Sequence, residues 1–441
     1  LVGALADEDV APVAADALVA IGEPAVAPVL ELLEGGVGAA RESAVEVLGR
    51  LGTSEAVPAI VELVRAGEDR LHRKAVDALI GIGAPAIDAL IPLLGEEGDG
   101  QGGATAALAG IGAPTLKPLA GALSNESSSI RMGAARVLEQ LGWVPEAGTA
   151  EEIVYLIALQ RWPEIVSLGA PAVDPLVARL GDLDPAVQAG SMKALVGIGT
   201  PAVPSLIRLL GRKALREQAE ETLVRIGEVA VEPLIQALEK TRLRKTAAGV
   251  LVRIGSPAAG ALVPVLGHPE TGQTAVGILE AMGMEAFDAL IEALGNDEAL
   301  IRQRVGDLLT GLGEAAAAPL IGALGHPDDT LRLGAIDALT RLGGPVVDLL
   351  VQALNDERYL VRLGAAEVLG RNGWEPRTES ETVSYLIAKE QWTFVAGIGP
   401  GAVGPLIRTL NDPDSAIQMG AARALGLIGA PAVERLIYEL R

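Results

Sequence analysis

The sequence predicts an all-α protein, an α-solenoid that winds as a right-handed superhelix of about 14–15 helical hairpins. Three observations predict it. A glycine recurs about every thirty residues, and apolar residues recur at helical spacing between these glycines. Half of the residues are hydrophobic but only 2% are aromatic, so small aliphatic side chains form the core. Such side chains suit thin, closely packed layers of helices.

The last complete repeat shows how each hairpin is encoded. Asp414 or Ser415 can accept hydrogen bonds from the free amides at a helix start. Gly429 is placed to take the left-handed conformation that ends a helix, and Pro431 follows at a first-turn position. The apolar positions of the two predicted helices are Ile417, Ala421, Leu425 and Ile428, then Val433, Leu436, Ile437 and Leu440.

The elbow glycine recurs in near-register along the whole chain, which leaves little room for another architecture. The fifteen elbow positions are Gly22, Gly52, Gly83, Gly112, Gly142, Gly169, Gly199, Gly227, Gly255, Gly283, Gly313, Gly343, Gly373, Gly399 and Gly429. We therefore expect one continuous array over residues 1–441.

Two further positions recur in the first helix of some repeats. A glycine there costs about 1 kcal/mol relative to alanine, so a closely approaching helix is the expected compensation. An arginine two residues earlier could reach a carboxylate in a neighbouring turn and build a ladder, or it could be solvated. The glycines are Gly133, Gly334, Gly364 and Gly420, the arginines are Arg131, Arg332 and Arg362, and the turn residues are Asn125, Asp328 and Asp356.

The pattern D-x-x-V-R-x-G-A-A-x-x-L-G-x-x-G-x-P-A-V-x-P-L-I-x-x-L resembles the HEAT-like repeats of phycobilisome bilin lyases. The resemblance covers essentially the entire chain. It implies an α-solenoid, and the class includes bilin lyase subunits, a di-iron hydroxylase and scaffolds. It does not indicate the activity of any one member.

A larger duplication relates residues 112–210 to residues 343–441. Each copy contains an atypical repeat, at 142–169 and 373–399, which we interpret as a shortened hairpin. Its aromatic residues either refill the core or form an exposed anchor for a partner. They are Trp143, Tyr155 and Trp162 in the first copy and Trp374, Tyr385 and Trp392 in the second.

Composition excludes several function classes. The net charge of −22 disfavours nucleic acid as a partner. Zero cysteines exclude disulfides, thiolate metal sites and cysteine nucleophiles. No apolar run is long enough to span a membrane. No signal peptide is visible, although the chain lacks a starting Met, and we expect a cytoplasmic protein.

No catalytic constellation is recognisable, so we predict no catalytic residue, metal site or cofactor. The histidines are His72, His268 and His326, and none belongs to the His–Glu pairs that a di-iron site of the hydroxylase kind needs. No phosphate-binding loop or nucleophile motif is present.

One charge feature interrupts the acidic pattern, in two consecutive repeats. Basic residues recur there at a spacing of 28 residues, and stacking would bring them into one patch that could dock an acidic peptide or phosphate. Alternatively, they form a solvated face that pairs with nearby glutamates. The candidate binding residues are Arg212, Lys213, Arg216, Lys240, Arg242, Arg244 and Lys245.

These observations favour a non-enzymatic scaffold that presents a concave helical surface to a protein partner. The alternative, implied by the resemblance, is a bilin lyase-like subunit or helper that binds a linear tetrapyrrole. A spacer without a specific partner is a third possibility. Both ends lack a polar cap, so we expect missing sequence or neighbouring chains to cover them.

Overall fold

The computed structural model describes residues 1–67 and 69–439, which form helices and turns and contain no strand. The chain divides into two compact units, Leu1–Thr222 and Leu223–Arg441, and each is described by itself. The predicted apolar position Leu440 lies outside the described residues.

Helices alternate regularly along the chain, so that odd-numbered helices are first helices of hairpins and even-numbered helices are second helices. After the short 3₁₀ segment Val2–Ala6, the helices up to the boundary of the first unit are α1 (Ala11–Ile21), α2 (Val26–Gly35), α3 (Ala39–Leu51), α4 (Val57–Ala66), α5 (Asp69–Ile82), α6 (Ile87–Leu90), α7 (Asp99–Ile111), α8 (Leu116–Ala122), α9 (Ser128–Gln140), α10 (Ala150–Ala158), α11 (Trp162–Leu168), α12 (Val173–Arg179), α13 (Pro185–Ile198), α14 (Val203–Leu209) and α15 (Arg216–Ile226).

The second unit continues the same alternation. Its helices are α16 (Val231–Ala237), α17 (Thr241–Ile254), α18 (Ser256–Leu262), α19 (Gly272–Met282), α20 (Phe287–Ala293), α21 (Ala299–Gly311), α22 (Ala317–Ala323), α23 (Asp329–Leu342), α24 (Val347–Ala353), α25 (Tyr359–Arg371), α26 (Glu379–Ala388), α27 (Trp392–Ile398), α28 (Val403–Thr409), α29 (Ser415–Ile428) and α30 (Ala430–Glu439). The described residues thus form an α-solenoid of fifteen helix pairs, and the predicted fold class is confirmed.

All fifteen predicted elbow glycines have a positive φ, between 59° and 81°. At Gly52 the conformation is the expected left-handed one, with ψ of 23°. At Gly199 φ is 69° but ψ is −125°, a region that is essentially restricted to glycine. A short 3₁₀ turn, Thr200–Ala202, then places Pro201 in its first turn and starts the second helix.

Replacing Gly199 with alanine should therefore lower the free energy of unfolding by about 1–3 kcal/mol, because a Cβ forces this backbone out of its conformation. The matched control is Gly277→Ala, inside α19, where an added methyl group meets nothing within 4 Å. That variant should be more stable by about 1 kcal/mol. Urea unfolding, monitored by circular dichroism, measures both changes in the free energy of unfolding. Equal changes in the two variants would contradict the assignment of Gly199 as an elbow.

The recurrent glycines inside first helices are contact points, as predicted. A methyl carbon added at Gly133 would lie 2.8 Å from the Cβ of Leu94, which precedes it in the stack. The same addition at Gly364 would lie 2.9 Å from the Cδ2 of Leu324. Each glycine thus lets a leucine at the end of an earlier second helix, α6 or α22, pack directly on the helix backbone.

In the atypical segments a tryptophan takes the place of that leucine. Trp162, the first residue of α11, lies over Gly190 of α13, and Trp392 lies over Gly420 in the second copy. A methyl group on either glycine would overlap the indole ring. The large ring fills space beside a first helix that is only seven residues long.

The segment 142–169 contains the helices α10 and α11, which contact each other. The helix α10 also contacts α9, and α11 also contacts α13. What is shortened is the first helix α11 and the connection that precedes it. The elbow after α9 is lengthened instead, over residues 143–149.

Gln160 lies in the short connection between α10 and α11, and its left-handed backbone conformation was not predicted. Its φ is +55°, and Glu390 at the equivalent position has φ of +54°. The amide of Arg161 donates to the carbonyl of Leu156 and the amide of Gln160 to that of Ile157, a Schellman motif in which glycine usually occupies this position.

Gln160→Gly should consequently stabilise the protein by about 1 kcal/mol, because it relieves the left-handed conformation of a residue with a Cβ. Gln303→Gly, at an exposed position inside α21, is the control and should destabilise by about 1 kcal/mol. Thermal and urea unfolding measure both changes. A loss of stability in Gln160→Gly would show that its side chain matters more than its backbone.

Three ion pairs join first helices of successive hairpins, and the two partners of each pair are 34 residues apart in the sequence. Arg50 pairs with Asp16, Arg341 with Asp307 and Arg371 with Asp337, each at 2.7 Å. All six side chains are well exposed, so each pair contributes about 0–1 kcal/mol.

Among the described residues, no single helix is long and apolar enough to cross a membrane, although the bent pair Arg70–Ile82 and Ala84–Gly95 passes that test by length and composition.

Candidate functional site

The turns between hairpins are organised by an arginine in the second turn of the following first helix. Arg302 donates through Nη1 to the carbonyl oxygens of Asn296 and Asp297 at 2.6 and 2.9 Å. Arg332 does the same to His326 and Pro327, at 2.7 and 3.0 Å. The guanidinium thus satisfies main-chain carbonyls of the turn that precedes its own helix.

Arg332 does not form the predicted ion pair with a carboxylate of another turn, whereas Arg131 and Arg362 do. Arg332 pairs with Asp329 of its own helix. Arg131 instead reaches Asp182, two turns further along the chain, at 2.6 Å. It can do so because the intervening connection, Leu159–Arg161, is too short to fill the space between them.

This contact is a buried ion pair. The side chains of Arg131 and Asp182 are 1% and 2% exposed. Arg131 also donates to the carbonyls of Asn125 and Glu126 at 2.9 and 2.8 Å, while Asp182 accepts from the amide of Asp184 at 3.1 Å. Both charges are therefore well satisfied by hydrogen bonds, as burial requires.

The second copy repeats the arrangement. Arg362 donates to the carbonyls of Asp356 and Glu357 at 2.8 and 2.9 Å and pairs with Asp412. The two side chains are 9% and 6% exposed. In each duplicated segment, one arginine thus hydrogen-bonds to the turn before its own helix and forms an ion pair with the turn after the following short hairpin.

Two of the seven predicted basic residues have this turn-binding role. Arg216 donates to the carbonyl of Leu210 at 3.0 Å, and Arg244 to that of Leu238 at 2.8 Å. Both are half-buried. The exposed members are Arg212 and Lys213 in the first unit and Lys240, Arg242 and Lys245 in the second.

In each copy the first predicted tryptophan packs against the predicted tyrosine. Tyr155 is 7% exposed, and its ring meets that of Trp143 edge-on with centroids 5.4 Å apart. The rings of Trp374 and Tyr385 are 5.6 Å apart. Burial raises the pKa of Tyr155. All six aromatic side chains are buried or half-buried, which favours the interpretation that they refill the core.

A polar cleft of about 460 Å³ opens in the second unit. Arg362 and Asp412 lie in its lining together with residues of two turns and of α26 and α28. The hydroxyl of Ser384 donates to the amide oxygen of Asn355 at 3.0 Å. The exposed polar residues at its edge are Asn355, Glu357, Arg408 and Asn411.

These cleft residues were not predicted from the sequence, although the duplication carried a usable signal. The ordinary polar types Asn355, Ser384 and Asn411 match no motif, and Arg408 ends a regular second helix. Comparing the two copies position by position would have marked them as places where related segments differ.

The histidines have ordinary surroundings. The Nδ1 of His72 lies 3.0 Å from the carbonyl oxygen of Val64, and Nδ1 of His326 accepts from the amide of Asp328 at 3.2 Å. Within residues 1–67 and 69–439, no group of three or more histidine, aspartate or glutamate side chains is arranged to hold a metal ion.

Comparisons with known proteins agree with the repeat architecture. The sequence model of HEAT repeats matches residues 31–109 and 317–388, so these segments are HEAT repeats. No curated protein matches the sequence.

Similar solved structures include Kap121p bound to Pho4p, at 12% identity and a TM-score of 0.27, covering 89% of this chain and 59% of that chain. Another is Kap121p alone, at 12% identity and a TM-score of 0.27, covering 97% and 56%. A third is Kap95p with RanGDP, at 13% identity and a TM-score of 0.25, covering 92% and 72%. The chain therefore spans less than two thirds of the Kap121p chains.

Proposed function

We propose that this chain is a non-enzymatic protein–protein interaction scaffold. The observation that carries the proposal is the unbroken alternation of first and second helices within each unit. Second helices of successive hairpins contact one another, as α18 contacts α20 and α20 contacts α22. A row of this kind offers a long surface for a protein partner without requiring an enclosed pocket.

The charge distribution supports a protein as the partner. The net charge of −22 opposes binding along a phosphate backbone, which needs a basic face. The exposed residues Lys240 and Lys245 at the start of α17 provide a local basic surface in the second unit. The tetrapyrrole-binding alternative rests on the resemblance alone.

The test is affinity capture with the purified full chain, from native lysate and at several salt concentrations. We expect a defined protein partner, which is then purified and titrated against the chain by calorimetry. Lys240→Glu with Lys245→Glu should weaken binding if the basic surface takes part, whereas Arg212→Glu with Lys213→Glu tests the first unit. Failure to recover a specific protein at any salt concentration would count against the scaffold.

A further inference from the structure

Five second helices of the second unit, α16, α18, α20, α22 and α24, form one continuous row. Each of them contacts the next, so their exposed sides lie next to one another. Two positions of each repeat, four residues apart, are exposed along this row. In chain order they are Glu232 and Gln236, Gly260 and Pro264, Asp288 and Glu292, Ala318 and Gly322, and Asp348 and Gln352.

The row carries charge of one sign only. From each elbow to the end of its second helix, residues 228–238, 255–267, 283–294, 313–324 and 343–354 contain seven carboxylates and no lysine or arginine. All seven are exposed, and within the described part of the chain none of them forms an ion pair. They are Glu228, Glu232, Glu285, Asp288, Glu292, Glu314 and Asp348, and we call these segments the acidic row.

The charges that border the acidic row do not neutralise it. The turns that follow its helices, residues 239–240, 268–271, 295–298, 325–329 and 355–358, contain eight carboxylates, one lysine and one arginine. The lysine is Lys240, beside Glu239, and the arginine is Arg358, which donates to Asp356 through Nε at 3.0 Å. On the elbow side the cations at the ends of first helices are Arg225, Arg253 and Arg341. The carboxylates of the row and its turns outnumber all of these cations.

The second helices of the first unit have mixed charges instead. Lys117 lies on α8, Arg179 on α12 and Arg208 on α14. The guanidinium of Arg208 lies 3.9 Å from the carboxylate of Asp174 on the neighbouring second helix. In the acidic row no cation of another second helix is available to do this. Carboxylates of one sign on an unpartnered face repel one another and favour a cationic partner.

The exposed positions also alternate in size along the row. Carboxylates occupy them on α16, α20 and α24, whereas α18 and α22 have small or cyclic residues there. A methyl group added to Gly260 or Gly322 would meet nothing within 4 Å, so the surface between the carboxylates is open. Packed helices lie about 8–10 Å apart, which separates the carboxylate-bearing helices by about 16–20 Å. An extended chain covers that distance with about five or six residues.

We propose that the acidic row binds an extended basic segment of a partner protein, in which lysine or arginine recurs about every five or six positions. Its basic side chains pair with the carboxylates of α16, α20 and α24, and its main chain crosses α18 and α22, where Gly260 and Gly322 leave room. The exposed amide of Gln352 can both donate to and accept from that main chain. This inference deepens the proposed scaffold function and rests on it.

The experiment selects a displayed library of random sixteen-residue peptides on the full chain, at physiological salt so that attraction between net charges is screened. We expect enriched peptides to contain lysine or arginine residues about five or six positions apart. Fluorescence anisotropy then compares an enriched peptide with a rearranged peptide of the same composition whose basic residues are adjacent. The rearranged peptide should bind about fivefold more weakly, because its cations reach the carboxylates of only one helix.

A double variant tests whether the peptide lies on the acidic row. Asp288→Asn with Glu292→Gln removes both carboxylates from the middle helix and should weaken binding of the enriched peptide about fivefold. Glu31→Gln with Glu34→Gln is the matched control, because it removes two exposed carboxylates from α2 in the first unit and changes the net charge equally. The control should keep the wild-type affinity, and circular dichroism checks that both variants keep their helices.

Four results would overturn the inference: no enriched peptide, equal binding of the two peptide arrangements, unchanged affinity of the α20 variant, or equal losses in both double variants. None of these would by itself contradict the scaffold, because the affinity capture of whole proteins decides that question separately. If capture succeeds and its partner binds the α20 variant normally, the scaffold stands and the assignment of the acidic row fails.

Discussion

Arg131→Met should lower the free energy of unfolding of the first unit by about 3–5 kcal/mol, because it leaves the carboxylate of Asp182 buried without its cation. Asp182 is 2% exposed, so water cannot replace the guanidinium without rearrangement. The carbonyls of Asn125 and Glu126 lose their donor at the same time. Arg179 remains 3.6 Å away and compensates only in part.

The matched control is Arg341→Met, which removes an arginine from an ion pair of similar length at the surface. Arg341 and Asp307 are 48% and 53% exposed, so this variant should lose at most about 1 kcal/mol. Urea unfolding gives the global effect, and hydrogen exchange locates it between α9 and α13. Similar losses in both variants would contradict the importance of burial.

A double variant separates the ion pair from the packing around it. Arg131→Met with Asp182→Leu removes both charges and should recover a large part of the stability that Arg131→Met loses. The recovery should be incomplete, because the two carbonyls stay without a donor. A double variant less stable than the single one would show that Asp182 has a role beyond pairing with Arg131.

The repeat architecture could be predicted because its signals are local. An elbow such as Gly199 needs a positive φ, and only glycine satisfies that requirement without strain, so the residue type reveals the turn. Gly133 was predictable for a similar reason, since glycine inside a helix costs stability unless something packs on it. Gln160 gave no such signal, because its left-handed conformation is imposed by the connection around it.

The candidate site was harder to predict because it depends on where long side chains point. Arg216 and Arg244 looked like members of a surface patch, yet both bind carbonyls of their own turns. Aligning them with Arg131 in the repeat would have indicated this role. The contact between Arg131 and Asp182 joins residues 51 positions apart, and it forms only because a short connection lies between them.

Trp162→Ala should also be strongly destabilising, by about 3 kcal/mol, if the indole fills the space over Gly190. Gly190→Ala in the wild-type background should cost about 1–3 kcal/mol, since the added methyl group overlaps that ring. Combining the two should cost less than their sum, because the methyl group then occupies space that the indole has vacated. Urea unfolding of the four proteins completes the double-mutant cycle.

The cycle decides between the two interpretations of the aromatic residues. A tryptophan that serves only as a partner anchor predicts a small effect of Trp162→Ala on stability and no coupling with Gly190. Gly277→Ala controls for the helix propensity of alanine, because nothing lies near that glycine. Strong coupling would identify Trp162 and Trp392 as core residues of the short helices, since both contact the equivalent glycine.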